Sequence, residues 1–98
     1  MENVSTGFEV LMKETREVGP AFGQLVKSLT HESVLDEKTH DLSYIAVLTA
    51  LKCYSGLPFH ISEAMEHGAS VEEIKSAMLV SMPLLGLQVK DALLYLPR

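Results

Sequence analysis

The sequence predicts an all-α fold, and three observations carry that prediction. Apolar and small residues recur at helical spacing, as in the row Leu42, Ile45, Ala46, Thr49 and Cys53. Capping residues stand where such rows begin: Asp36 before that row, and the box Ser70-Val71-Glu72-Glu73 before a later one. No segment shows the alternation with a period of two that marks a half-buried strand. Ninety-eight residues make one small domain, 1–98, a single-domain helical bundle.

The elements follow in order. Ser5 or Thr6 caps a first helix carrying Phe8, Leu11, Met12 and Thr15 or Val18 on one face. Gly19-Pro20 is expected to end it, with Pro20 opening a short second helix through Phe22, Leu25, Val26 and Leu29. Thr30 to Val34 reads as a polar link. Asp36 then caps a long third helix, with Leu35 as a staple and Val47, Leu48 and Leu51 adding a second apolar side. Gly56 is its expected stop. Pro58 starts a short fourth helix with Phe59, Ile61, Ala64 and Met65, which ends at Gly68. The capping box opens a fifth helix, Ile74, Ala77, Met78 and Ser81, broken by Pro83. Leu84 to Leu96 reads as a last helix, and Pro97-Arg98 as a tail.

Composition narrows the function classes. A hydrophobic share of 47% is high for so small a body, so part of the apolar surface is expected to be buried against copies of the same chain. A net charge of −5 argues against nucleic acid, which requires a basic face. No window holds the roughly 18 uninterrupted apolar residues that span a bilayer; the run Ala77 to Leu87 is interrupted by Ser81 and Pro83. Met1-Glu2-Asn3-Val4 lacks the basic start of a signal peptide, and a single cysteine forms no intrachain disulfide. The expectation is a cytoplasmic protein without a membrane partner.

One thiol and one imidazole stand out. Cys53 is the only cysteine, and His60 follows it in Leu51-Lys52-Cys53-Tyr54-Ser55-Gly56-Leu57-Pro58-Phe59-His60. Upstream lies Leu35-Asp36-Glu37-Lys38-Thr39-His40-Asp41-Leu42, downstream Glu66-His67-Gly68-Ala69-Ser70. Across about residues 25–87 this resembles the carboxymuconolactone decarboxylase family, which includes the alkylhydroperoxidase D type of enzyme. Redox members carry E-x-x-C-x-x-C-x-x-x-H. The resemblance gives Cys53 the place of the first cysteine and His60 that of the histidine; Ala50 replaces the glutamate and Gly56 the second cysteine. It implies a compact homo-oligomer, commonly a trimer or hexamer. It also assigns Asp41 the place of a further glutamate in a proton relay. The cysteine nearest the histidine attacks the peroxide in those members, so with Gly56 there the disulfide cycle cannot close within this chain.

Each residue has a plainer alternative. A thiolate activated by His60 would be reactive, yet the spacing of Cys53 also fits a small buried hydrophobe on the inner face of a helix. His60 near neutral pKa can move protons, or it can be a partly buried ring bonded to a backbone carbonyl. Asp41 lies about 18 Å from Cys53 along a straight helix, so it reaches the chemistry only through another helix or subunit near His60; otherwise it is an exposed first-turn acid. His60, Glu63 and His67 share one helix face, but ligands two turns apart lie about 10 Å from each other, too far to share an ion. His67 fits a helix end. No metal is expected, and no glycine-rich loop or zinc spacing calls for a cofactor.

Three functions remain open. The first is a thiol-linked antioxidant enzyme of peroxidase type, using Cys53 with His60 and an external thiol reductant. The second is a lyase or isomerase of the decarboxylase type, using His60 on a small carboxylate, with Lys38, Lys52 or Lys27 as the cation for the acid. The third is a non-catalytic oligomer that binds a small molecule or partner.

Overall fold

A computed structural model describes residues 4–97. Met1 to Asn3, part of the N-terminal stretch considered above, and Arg98 of the tail lie outside the described residues. Every regular element among the described residues is helical: α1 (Thr6–Glu14), α2 (Val18–Glu32), α3 (Glu37–Ala50), a 3₁₀ turn (Tyr54–Gly56), α4 (Leu57–Glu66), α5 (Val71–Leu79), α6 (Met82–Leu85) and a 3₁₀ segment (Gly86–Tyr95).

The N-terminal hairpin differs from the expected one. Ser5 caps α1, its hydroxyl accepting from the Phe8 N–H. The helix stops at Glu14, because Thr15 is extended, and Gly19-Pro20 lies inside the first turn of α2. Pro20 loses nothing there, since the first N–H groups of a helix have no partner within it. Thr15 ties the two helices: its hydroxyl donates to the Leu11 carbonyl and accepts from the Gly19 N–H, both at 2.7 Å. A Cβ on residue 19 would lie 2.6 Å from the Leu11 carbonyl oxygen, so glycine lets the backbones meet. Helix α2 then runs through Thr30, His31 and Glu32, which the sequence reading had placed in a link.

Helix α3 is central and packs chiefly on α4 and α5. Asp36 caps it, accepting from the Thr39 N–H at 2.8 Å. Its inner face buries Ile45 and Thr49 against Leu57, Ile61 and Ala64 of α4 and Ile74, Ala77 and Met78 of α5. Removing each such aliphatic side chain from water contributes about 1.5–3 kcal/mol, which drives the packing.

Two helix ends close by the same device. At the end of α4, Gly68 has φ +93°. The Gly68 N–H donates to the Met65 carbonyl at 3.1 Å, and the Ala69 N–H to the Ala64 carbonyl at 2.9 Å. This paired bonding is a Schellman motif. At the end of α3, Lys52 holds the left-handed position with φ 57°. Its N–H donates to the Thr49 carbonyl at 3.0 Å, and the Cys53 N–H to the Leu48 carbonyl at 2.9 Å. Cys53 therefore lies beyond α3 and is exposed, not a buried member of the helix row.

The capping box forms in full at Ser70 and Glu73. After α5 the chain turns at Val80 and Ser81 into the short α6, with Pro83 in its first turn. The last segment is 3₁₀ rather than α-helical, and Val89 and Ala92, three apart, give it a buried side that suits three residues per turn. The stretch Val71–Tyr95 is long and apolar enough to cross a membrane by length and composition. Here it changes geometry twice and supplies Ile74, Met78, Val89 and Ala92 to the buried interior.

Candidate functional site

Two stripes of polar and aromatic side chains face each other across a cavity of about 540 Å³. The first is on α3: Glu37, His40, Asp41 and Tyr44, spaced i, i+3, i+4, i+7 and therefore on one side of that helix. The second belongs to α4 and its cap: Phe59, His60, Glu63 and His67. Val26 and Thr30 of α2, with Ser33 and Leu35 after it, complete the lining.

His60 is half-buried near the start of α4. Tyr44 stacks on its ring at 4.7 Å between centroids and 16° between planes, and Phe59 meets it edge-on at 5.2 Å. His40 lies against the Tyr44 ring at 4.9 Å. No described residue hydrogen-bonds the His60 ring, so aromatic contacts hold it and leave its nitrogens to whatever fills the cavity. Burial lowers its pKa below the ordinary value of 6.5, with the Asp41 charge opposing and His40 assisting. His60 is thus a neutral imidazole at neutral pH.

Asp41 meets α4 from across the cavity. Its Oδ2 lies 2.5 Å from His67 Nδ1, and the other ring nitrogen of His67 pairs with Glu37. The Asp41 side chain is only 13% exposed, so it is a cross-helix partner and not an exposed first-turn acid. The hydrogen bond to Asp41 raises the His67 pKa, with burial opposing and Glu37 assisting. Glu63 is pushed up by burial first, then by a hydrogen bond and charge from Glu66 and by the charge of Asp41.

Asp41 and His60 therefore share one cavity, and Cys53 does not line it. The thiol is exposed at the turn after α3. Gly56, where redox members of the family have their second cysteine, packs under Leu48; a Cβ there would lie 3.2 Å from Leu48 Cδ2. The lysines offered for an acid substrate are also elsewhere. Lys38 pairs with Glu73 at 3.0 Å, beside the α5 cap, and neither Lys52 nor Lys27 lines the cavity. Among the described residues no group of three His, Cys, Asp or Glu side chains has the geometry to hold a metal ion.

His40 and Tyr44 join the site although neither stands out among the motifs above, and His67 does more than end a helix. The signal was present in the heptad-like stripe Glu37, His40, Asp41, Tyr44, where four chemically capable side chains replace the usual solvated face.

No curated protein and no solved structure matches the chain. The model of the carboxymuconolactone decarboxylase family matches residues 16–96, which include every helix from α2 onward and both stripes of the cavity. By this match the chain belongs to the carboxymuconolactone decarboxylase family.

Proposed function

We propose that this protein is a proton-transfer enzyme of the lyase or isomerase class, with His60 as the base. The observation that supports it is the neutral, aromatically clamped His60, which no described residue hydrogen-bonds, within a cavity that no thiol lines. His60 takes a proton from the carbon beside a substrate carbonyl. The electron pair left behind moves onto the carbonyl oxygen, where the Tyr44 hydroxyl donates to the enolate. Return of the proton from His60 to another carbon completes an isomerisation. Positioned acid–base groups of this kind contribute about 10²- to 10⁴-fold in rate. A small unsaturated lactone is a suitable probe. We expect the protein to catalyse isomerisation of α-angelica lactone to its conjugated form. His60→Ala should abolish the catalysis and Cys53→Ser should leave it; equal rates in wild type and His60→Ala would overturn the reading.

The exposure of Cys53 favours a second reading, thiol-linked peroxide reduction. The Cys53 thiolate would attack a hydroperoxide, releasing the alcohol and forming sulfenic acid. One external thiol then gives a mixed disulfide and water, and a second restores the Cys53 thiol. Peroxide consumption with dithiothreitol that disappears in Cys53→Ser would support it. For either chemistry we propose a cytoplasmic protein that self-associates, because Leu25 and Leu29 of α2 and Val80, Leu84, Leu87 and Leu94 near the C-terminus are exposed; a trimer or hexamer is the size that the family resemblance implies.

A further inference from the structure

The charges around the cavity decide what can enter it. Glu37, Asp41 and Glu63 bring three carboxylates to its lining, and among the described residues no lysine or arginine lines it. Lys38, one turn from Asp41 on the same helix, is held by Glu73 beside α5. The His67 imidazolium is already engaged by two of the carboxylates. An anionic ligand would therefore lose its water without gaining a cation, beside charges of its own sign, where a carboxylate needs a charged donor to be held. The rest of the wall is aromatic: His40 lies tilted against Tyr44, Tyr44 stacks on His60 and Phe59 meets His60 edge-on, so the rings run in contact from α3 to α4.

From this arrangement we propose that the cavity takes a planar ring compound carrying no negative charge, and that it discriminates against carboxylates. The proposal rests on the His60 cavity being the substrate site, and it narrows the substrate class of that site. A carboxylated lactone is thereby disfavoured against its neutral counterpart. The carboxylates supply the discrimination and the aromatic wall supplies the affinity.

Three near-isosteric probes test it: benzamide, benzamidinium and benzoate. Binding to the full-length protein at pH 7.5 is followed through the NMR resonances of the His60 and Tyr44 rings. Benzamide and benzamidinium are expected to shift both, with benzoate at least tenfold weaker than benzamide. A smaller ratio, or no shift of these rings by any probe, overturns the proposal. The double variant Glu37→Gln, Glu63→Gln, checked for native helicity by circular dichroism, is expected to bring benzoate to within threefold of benzamide. An unchanged ratio in that variant would remove the carboxylates as the cause and overturn the proposal as stated. The outcome is separable from the catalytic reading: if benzamide is preferred but His60→Ala leaves lactone isomerisation unchanged, only the proton-transfer reading fails.

Discussion

His67 Nδ1 lies 2.5 Å from Asp41 Oδ2, which ties the C-terminal cap of α4 to the first half of α3. The second ring nitrogen of His67 faces Glu37, so both nitrogens act as donors and the ring is an imidazolium. It also sits where a helix dipole favours positive charge. Its pKa should therefore lie above 6.5 in the folded protein, and Asp41→Asn should bring it back down, as read by NMR titration. The sign for stability follows from linkage. A raised folded-state pKa gives stabilisation that is fully present below 6.5 and is lost as pH rises through the folded value. The Tm difference between wild type and Asp41→Asn should accordingly shrink as the pH is raised through that value.

His60 should titrate in the opposite direction. Burial holds its pKa below 6.5, so catalysis by the neutral ring should rise with pH through a value below that and then level off. Tyr44→Ala uncovers the stacked face and admits water. The His60 pKa is expected to move up towards 6.5 in that variant, and an unmoved value would show that Tyr44 does not shield it.

The two Schellman ends invite opposite substitutions. Lys52 holds a left-handed conformation that costs an L-residue about 1–2 kcal/mol, so Lys52→Gly should stabilise the fold by up to about 1 kcal/mol. Gly68 holds the equivalent place with open space around it, so Gly68→Ala should cost about 1 kcal/mol through the backbone alone. Urea unfolding with an unchanged m-value would measure both.

Thr49 is fully buried in the last turn of α3, and its hydroxyl has no hydrogen-bond partner among the described residues. An unsatisfied buried hydroxyl costs about 1–3 kcal/mol, so Thr49→Val should be neutral or stabilising. Ile74→Ala, by contrast, should lose about 2–5 kcal/mol, because the site is enclosed by α3, α4 and α5. Thermal unfolding of the two variants in parallel gives the comparison.

The sequence by itself determined the all-α architecture, the caps at Asp36 and Ser70, the stop at Gly68 and the inward row through Ile45 and Thr49. These are local: a cap acts on backbone within four residues, and a helical row repeats within two turns. The end of α3 and the place of Cys53 were misread for a physical reason. Gly68 announced its left-handed turn, but Lys52 performs the same turn without glycine, so the row seemed to continue and Cys53 was placed on the inner face of α3. The N-terminal hairpin was misread because Gly19-Pro20 breaks a helix in its interior yet is harmless in a first turn. Only the tertiary structure decided that Asp41 reaches His67, that Tyr44 covers His60, and that the lysines stand outside the cavity. Those relations depend on how α3 and α4 are rotated against each other. That rotation follows from burying Ile45, Leu57, Ile61 and Ala64 together, a contact between residues far apart in sequence that no local periodicity encodes.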